Sequence, residues 1–461
     1  MIQTTTGQTV INKFPGYELV KDEKGKLHNM FHGEDVGFGG YVYSEPGMYG
    51  RTVVFDVQSM HPHSIVTMNV FGDYTPRYAA ILEGRVALKH KDMDKAREIF
   101  KLISPEADKY LNDESMAKPL SNAMKLVLNM AYGYTSGSFE NPMRDSRNVN
   151  NIVALKGALF MVSLRDEVKS RGFKVISIKT DSIKVVNPSK ELEEFIFDFG
   201  KKYGYTFEIE NIFEKICLVN DSTFIAKCAA DDPDPSMQGK WLAKATQFQV
   251  PYVYKTLFSK EPLSFNDFCE TKSVTRGAIY LDLNESLINT HVGSDEKFIS
   301  LEAEADRMSN YIDRDKLPRG FNTKQELLEH AKQLKATIDK CHHMQFVGRV
   351  GRFCPVKPGS GGGRLYRVQD GKNYAVAGTT GYRWLEAEYI KGQGLDDCID
   401  MSYFNRLVDE AAEAIGKYGD LEWFINGDVD ELPPDFINEP VNEAEQALFY
   451  IPEGVDEEVP F

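Results

Sequence analysis

Two aspartates and one helix-forming string are the residues in this chain best suited to chemistry. Asp56 opens Asp56-Val57-Gln58-Ser59-Met60-His61-Pro62, directly after the apolar run Thr52-Val53-Val54-Phe55. Asp181 lies in Lys179-Thr180-Asp181-Ser182, between two further apolar runs. Between them comes Lys125-Leu126-Val127-Leu128-Asn129-Met130-Ala131-Tyr132-Gly133. Two separated carboxylates and a helix carrying a cation are the minimum equipment for holding two divalent metals and a triphosphate. Phosphoryl and nucleotidyl transfer need charge neutralisation and in-line placement, which a pair of metals supplies at the attacking and leaving oxygens. Magnesium suits few carboxylates, with water and substrate phosphates completing its shell. Arg85 and Lys89, four residues apart, add two more cations on one helix face.

Each feature alone has an ordinary reading. An aspartate after a strand is more often a cap or a turn residue. A Lys/Asn stripe is usually a solvated helix face. Arg85 and Lys89 sit in a cation-rich stretch with His90 and Lys91, and Thr-Asp-Ser is a common turn. The site reading rests on their co-occurrence in one order, each in compatible local structure.

The elements around these strings follow from periodicity. Gly39-Gly40-Tyr41-Val42-Tyr43-Ser44-Glu45-Pro46-Gly47 reads as a turn, a short strand and another turn. Thr52–Phe55 is β-branched and apolar, a buried strand ending at Asp56. Residues 77–103 show a helical pattern broken by Ser104-Pro105. Residues 117–132 form a second helix, with Leu120, Met124, Val127, Leu128 and Ala131 on its apolar face and Lys125, Asn129 and Tyr132 on another stripe. Residues 152–170 form a third, closed by Gly172. Residues 174–178 and 183–186 flank Lys179–Ser182 as a hairpin with Asp181 near its tip. Residues 190–202 are helical, 207–227 alternate as strand, and Asp231-Asp232-Pro233-Asp234-Pro235 is an exposed loop. Thr323-x-x-Glu326 is a capping box opening a helix. Gly359-Ser360-Gly361-Gly362-Gly363 is expected as a flexible loop; without a following Gly-Lys-Ser/Thr it does not read as a phosphate cradle.

The chain has 461 residues, 42% hydrophobic and 27% charged, a globular composition with length for several subdomains. No run of about 20 apolar residues is present, so no membrane association is expected. The start lacks the basic-then-apolar pattern of a signal peptide. The six cysteines, at 217, 228, 269, 341, 354 and 398, have no close sequence pairs and read as reduced thiols. Cys341-His342-His343 with Cys354 lacks paired zinc-ligand spacing. The net charge of −15 is uneven. Beyond Lys417 there are 13 acidic residues and no Lys or Arg; removing those 13 from −15 leaves −2 for residues 1–417, compatible with a local basic groove.

With these strings in place, the chain resembles the family B (alpha-like) DNA polymerases of the bacteriophage type. The family's D-x-x-S-L-Y-P-S is similar to Asp56–His63, its K-x3-N-S-x-Y-G to Lys125–Gly133 with Met130 in place of the Ser, and its D-T-D-S to Lys179–Ser182. Phe38-Gly39-Gly40 resembles the family's Y-x-G-G, and Asn141-Pro142-Met143-Arg144-Asp145-Ser146-Arg147-Asn148 also looks like phage members. The resemblance covers residues 38–230 and weakens beyond. It implies an α/β (α+β) right-hand fold with a palm sheet, helical fingers and a C-terminal thumb region. The implied boundaries are an N-terminal segment 1–38, palm 39–76, fingers 77–133, palm 134–230, thumb and C-terminal region 231–425 and an acidic tail 426–461.

The implied activity is template-directed addition of dNTPs to a primer 3′ end with two Mg2+ ions, Mn2+ being a substitute, on primer-template DNA in phage replication, in the cytoplasm of a bacterial host. Asp56 and Asp181 are the implied catalytic metal ligands, helped by the Val57 carbonyl. Lys125 contacts the triphosphate and protonates the leaving group. Arg85, Lys89, Asn129, Ser59, Met60, His61 and Tyr132 form the implied dNTP site, with His61 at the family's sugar gate. Gly39, Gly40, Gly133, Thr180, Lys179 and Lys227 are the implied DNA contacts.

The chain departs from the family pattern in several places. His61 replaces the gate Tyr, Lys179 replaces the first Asp of D-T-D-S, and Asn220-Asp221-Ser222-Thr223-Phe224 stands where the family has a basic primer-gripping segment. Fewer than 40 residues precede Gly39-Gly40, so either proofreading is missing or a 3′–5′ exonuclease stands on a separate chain, the second being the favoured expectation. Asp456-Glu457-Glu458-Val459-Pro460-Phe461 resembles the acidic Pro-Phe terminus of bacterial single-stranded-DNA-binding proteins, which implies a replication partner with a basic, apolar pocket. Two rival readings are a non-catalytic DNA-binding subunit and another nucleotidyl transferase, such as a primase or a reverse transcriptase. The intact Asp56, Asp181, Lys125 and Asn129 disfavour the first, and the absence of a Tyr-x-Asp-Asp tip disfavours a reverse transcriptase.

Overall fold

A computed structural model describes residues 13–103, 108–137, 139–140 and 151–427. The stretch 141–148 and the acidic terminal string lie outside the described residues. The chain divides into two compact units, residues 1–245 with 414–461, and residues 246–413.

The first unit is mixed α/β. It carries strands β1 (Glu18–Lys21), β2 (Leu27–Phe31), β3 (Glu34–Asp35), β4 (Val42–Ser44), β5 (Gly47–Tyr49), β6 (Thr52–Val57), β7 (Val175–Lys179), β8 (Ser182–Val186), β9 (Phe207–Asn220), β10 (Thr223–Cys228) and β11 (Trp241–Lys244). The principal helices are α1 (Met60–Thr67), α2 (Thr75–Lys89), α3 (Met93–Ile103), α4 (Ala117–Ser136), α5 (Ile152–Ser170) and α6 (Lys190–Lys202). Strands β1–β3 form a small sheet. The large sheet is antiparallel in the order β11-β10-β9-β6-β8-β7-β4, with β5 also on β9.

Strand alternation divides this sheet's two faces. Val53, Phe55 and Val57 of β6 and Ile183 and Val185 of β8 join the helical core. Helix α5 is buried along almost its whole length there, from Ile152 to Val168. The intervening residues Val54, Asp56, Ser182 and Lys184 lie on the opposite face. The hairpin expected around Asp181 forms, with Thr180 at φ 57° in its turn. The helix expected over 77–103 is instead two helices. Lys91 takes φ 58°, the Asp92 amide reaches back to the Ala87 carbonyl at 2.9 Å, and the Asp92 side chain accepts from the Lys95 amide at 3.1 Å. That local capping competes with continuing the helix.

The second unit has its own core around Ile279, Phe353, Trp384 and Phe404. It contains a three-stranded sheet of β12 (Glu270–Ser273), β15 (Val350–Val356) and β18 (Arg383–Glu386). A four-stranded sheet combines β13 (Ala278–Asp282), β14 (Met344–Gly348), β16 (Arg364–Gln369) and β17 (Lys372–Ala375). Helices α7 (Asp295–Asp313) and α8 (Lys324–Asp339) pack on each other, and the capping box expected at Thr323 and Glu326 is present. No helix among the described residues is long and apolar enough to cross a membrane.

Candidate functional site

The strand order brings the two aspartates together. Asp56, near the end of β6, lies opposite Ser182 of β8 on one side and Glu208 of β9 on the other. Asp181 sits in the β7–β8 turn, and its carbonyl accepts from the Val57 amide at 2.8 Å. The turn is tight, because the Asp181 amide reaches the Lys179 carbonyl at 2.7 Å. Thr180 in turn donates its amide to the Tyr41 carbonyl at 2.8 Å, which docks the segment after Gly39-Gly40 against the turn. Gly40 is required by close approach: a Cβ there would stand 2.2 Å from the Thr180 hydroxyl oxygen.

A cavity of about 220 Å³ opens over this strand end. Of the residues expected at the site, Asp56, Val57, Ser59, Met60, His61, Arg85, Lys89, Lys125, Asn129, Thr180 and Asp181 all line it. Gly39, Gly40, Gly133, Tyr132, Lys179 and Lys227 do not. Tyr132 reaches it indirectly: its ring packs on His61 with centroids 4.4 Å apart, and its hydroxyl donates to Asn151 at 2.9 Å. Lys179 donates to Ser222 at 3.0 Å, and Lys227 is paired with Glu214 at 3.1 Å.

The cavity pairs an acidic floor with cationic walls. Burial first, then the charges of Asp181, Glu210 and Glu208, push the Asp56 carboxyl up to about 8 against the pull of Lys89. Burial also raises Asp181, with Glu210 adding to it and Lys125 opposing. Neither aspartate makes a salt bridge among the described residues. Burial pushes Glu208 up as well, but Lys89 and the Gln58 amide outweigh this and hold it below the usual carboxylate range. Gln58 donates to Glu208 at 2.9 Å, and Lys89 forms an ion pair with its other oxygen. Arg85 donates to the Ser59 hydroxyl, leaving its buried Nε without a partner among the described residues. Lys125 and Asn129 are exposed on α4, one turn apart, while Leu128 anchors the helix in the core. Burial pushes the His61 imidazole below its ordinary value, and its Nδ1 has no hydrogen-bond partner among the described residues.

The donor chemistry fits a divalent cation. Among the described residues no group of three or more His, Cys, Asp or Glu side chains stands in a metal-holding arrangement. A cation here would therefore rest on Asp56, Asp181, backbone oxygen, water and its substrate, the mixed shell that magnesium favours. The two carboxylates are half-buried and have no paired cation among the described residues, so a metal would relieve the electrostatic cost that each carries.

Sequence reasoning missed Gln58, Glu208, Glu210 and Lys184. The alternation Phe207-Glu208-Ile209-Glu210 was the available signal, but only the β6–β9 register sets Glu208 across from Asp56. Lys184 is buried beside the Phe224 ring, 5.2 Å from its centroid, and burial holds it at about 8 despite the opposing pull of Glu210 and Asp56.

The other metal and phosphate features are accounted for elsewhere. His342 Nδ1 is 2.7 Å from Asp282, Cys341 donates to the Thr337 carbonyl, and Cys354 contacts Cys269, so the Cys/His cluster is dispersed. The glycine loop at 359–363 is pinned rather than free. The Gly359 and Gly361 amides donate to the two carboxylate oxygens of Glu285 at 2.6 and 2.7 Å. An internal anion already fills that backbone cradle.

No protein-family model and no curated protein matches the chain. Among solved structures, the family B DNA polymerase from the hyperthermophilic archaeon Pyrobaculum calidifontis aligns over 85% of this chain and 49% of that one, with 13% identity and a TM-score of 0.40. The chain thus spans about half the length of that protein. A likeness at this score is weak and carries no weight for fold or function.

Proposed function

We propose that this chain is the core of a DNA-directed DNA polymerase, adding dNTPs to a primer 3′ end. The observation that carries this reading is the convergence of Asp56 and Asp181 under Arg85, Lys89, Lys125 and Asn129 in one cleft. On this reading the large sheet is the palm, α2–α4 are the fingers and the second unit contains the thumb. Asp56, Asp181 and the Val57 carbonyl would hold two magnesium ions, which when bound supply charge neutralisation at the attacking and departing oxygens.

The remaining work falls to the chain's own groups. Lys125 sits across from Asp181, where its ammonium neutralises charge on the departing pyrophosphate and gives it a proton. Asn129, one helical turn on, donates to phosphate oxygens from the same face. Arg85 is oriented by Ser59 and offers its remaining N–H groups to the triphosphate. Lys89 is shared with Glu208, which restrains it on the cavity wall. His61, braced on Tyr132, packs its ring beside the sugar, and burial favours the neutral form of that ring.

The test is primer extension with Mg2+ and dNTPs, comparing the parent chain with Asp181→Ala and Asp181→Asn, each checked for native circular dichroism. Extension by the parent that both variants lose supports the reading. Extension that survives in both rejects the metal assignment. A well-folded parent without extension on any primer-template favours a non-catalytic DNA-binding subunit.

A further inference from the structure

The second unit contains a pair of thiols that the cleft chemistry does not use. Cys354 is fully buried in β15, the central strand of the three-stranded sheet. Cys269 immediately precedes β12 and is partly buried, with some solvent access. Because Glu270 lies opposite Phe353 in this antiparallel ladder, the next rung places Cys269 opposite Cys354. Their sulfurs are 3.3 Å apart. A third thiol, Cys398, packs against the same core.

We propose that Cys269 and Cys354 form a peroxide-sensitive dithiol, a modification site at which hydrogen peroxide closes a reversible disulfide.

The two thiols have different environments, which sets the order of events. Cys354 is held in its protonated form, first by burial and then by Cys269 beside it. Cys269 reaches solvent and is the sulfur that an oxidant meets first. Its thiolate attacks a peroxide oxygen and the O–O bond breaks, leaving a sulfenic acid on Cys269; the departing hydroxide takes a proton and leaves as water. The Cys354 sulfur then attacks the Cys269 sulfur. The S–O bond breaks, the Cys354 proton leaves with the hydroxide, and a second water is released. The two thiols together lose two electrons and two protons, and the peroxide is reduced to two waters. A disulfide requires the sulfurs to close by only about 1.3 Å.

The bond would tie the turn Phe265–Phe268 to β15 across 85 positions of chain. Phe265 and Phe268 line a cavity of about 320 Å³ with Lys357, Ile399 and Met401, so oxidation would stiffen one wall of that cavity.

The experiment treats the full chain with hydrogen peroxide, then alkylates it under denaturing conditions and measures intact mass and peptides. The expected result is two fewer alkylated cysteines of the six, one cross-linked peptide joining residues 269 and 354, restoration by a thiol reductant, and a melting temperature raised by a few degrees in the oxidised form. Cys269→Ser, on the exposed side of the pair, should fold normally and abolish the cross-link, whereas Cys398→Ser should leave it intact. Full alkylation of all six thiols after peroxide would overturn the proposal. So would a cross-link that persists in Cys269→Ser or that joins Cys398 instead.

Discussion

Each unit of this molecule buries a cluster of carboxylates, and the two clusters are treated in opposite ways. In the second unit Asp282 accepts from Asn284, from the His343 amide and from His342, while Glu285 accepts two loop amides and pairs with Arg383. Arg383 also bonds Asp295 and Asn284. Every oxygen of this network faces a donor, and the network holds a loop and two strands together. In the first unit Asp56 and Asp181 lie near one another and two glutamates, neither aspartate has a paired cation among the described residues, and both are pushed above the usual carboxylate range. Burial alone therefore does not mark a site. What separates them is whether a counter-charge is seated directly on the carboxylate: among the described residues the cleft does this for Glu208, through Lys89, and not for Asp56 or Asp181.

That contrast breaks most sharply by mutation in the cleft. On the proposed polymerase reading, Asp181→Ala should lower the extension rate by about 10³-fold or more, with unchanged circular dichroism, because one of the two carboxylates assigned to the metals is lost. Mg2+ should raise the melting temperature of the parent chain by a few degrees and should not do so for the Asp56→Asn, Asp181→Asn double variant, as read by calorimetry.

The second unit should respond in the reverse manner. Glu285→Ala leaves two loop amides and the Arg383 guanidinium without their partner and should cost about 3 kcal/mol in denaturant unfolding. Extension measured well below the melting temperature should stay within about twofold, since no group in the cleft is changed.

A pH-dependent effect tests whether a buried ammonium with no ion-pair partner among the described residues is costly elsewhere in the first unit. Lys156 is buried in α5, bonded to Thr67 and to the Tyr203 carbonyl, and burial holds its ammonium down to about 7. Between pH 7 and the unfolded value of 10.5, the unfolded chain binds a proton that the folded chain does not. Stability contributed by this group should therefore rise with pH across that window, by about 1.4 kcal/mol per unit, and be flat below it. Denaturant melts of the parent against Lys156→Met isolate that slope; equal slopes would show that the ammonium stays charged when folded.

Much of the cleft was legible because its parts are local. The run Thr52–Phe55 demanded a buried strand, so Asp56 had to emerge near its end; the hairpin around Asp181 followed from two apolar runs and a four-residue gap; and helical period put Lys125 and Asn129 on one stripe of α4. The break at Lys91 was missed because the apolar period continues through it, while the decisive capping bond from Asp92 is a single side chain. The flexible reading of residues 359–363 failed because Glu285, 74 positions away, supplies the acceptors for Gly359.

The sequence by itself determined what depends on neighbours within a few residues: strands, helix faces, caps, the hairpin and the acidic terminal stretch. Only the tertiary structure decided which carboxylates would share a counter-charge and which would not. Glu208 faces Asp56 because β9 pairs with β6, and Cys269 meets Cys354 because β12 pairs with β15. Strand partnership is set by burying whole apolar faces against one another. It therefore brings together residues whose spacing along the chain carries no trace of their meeting.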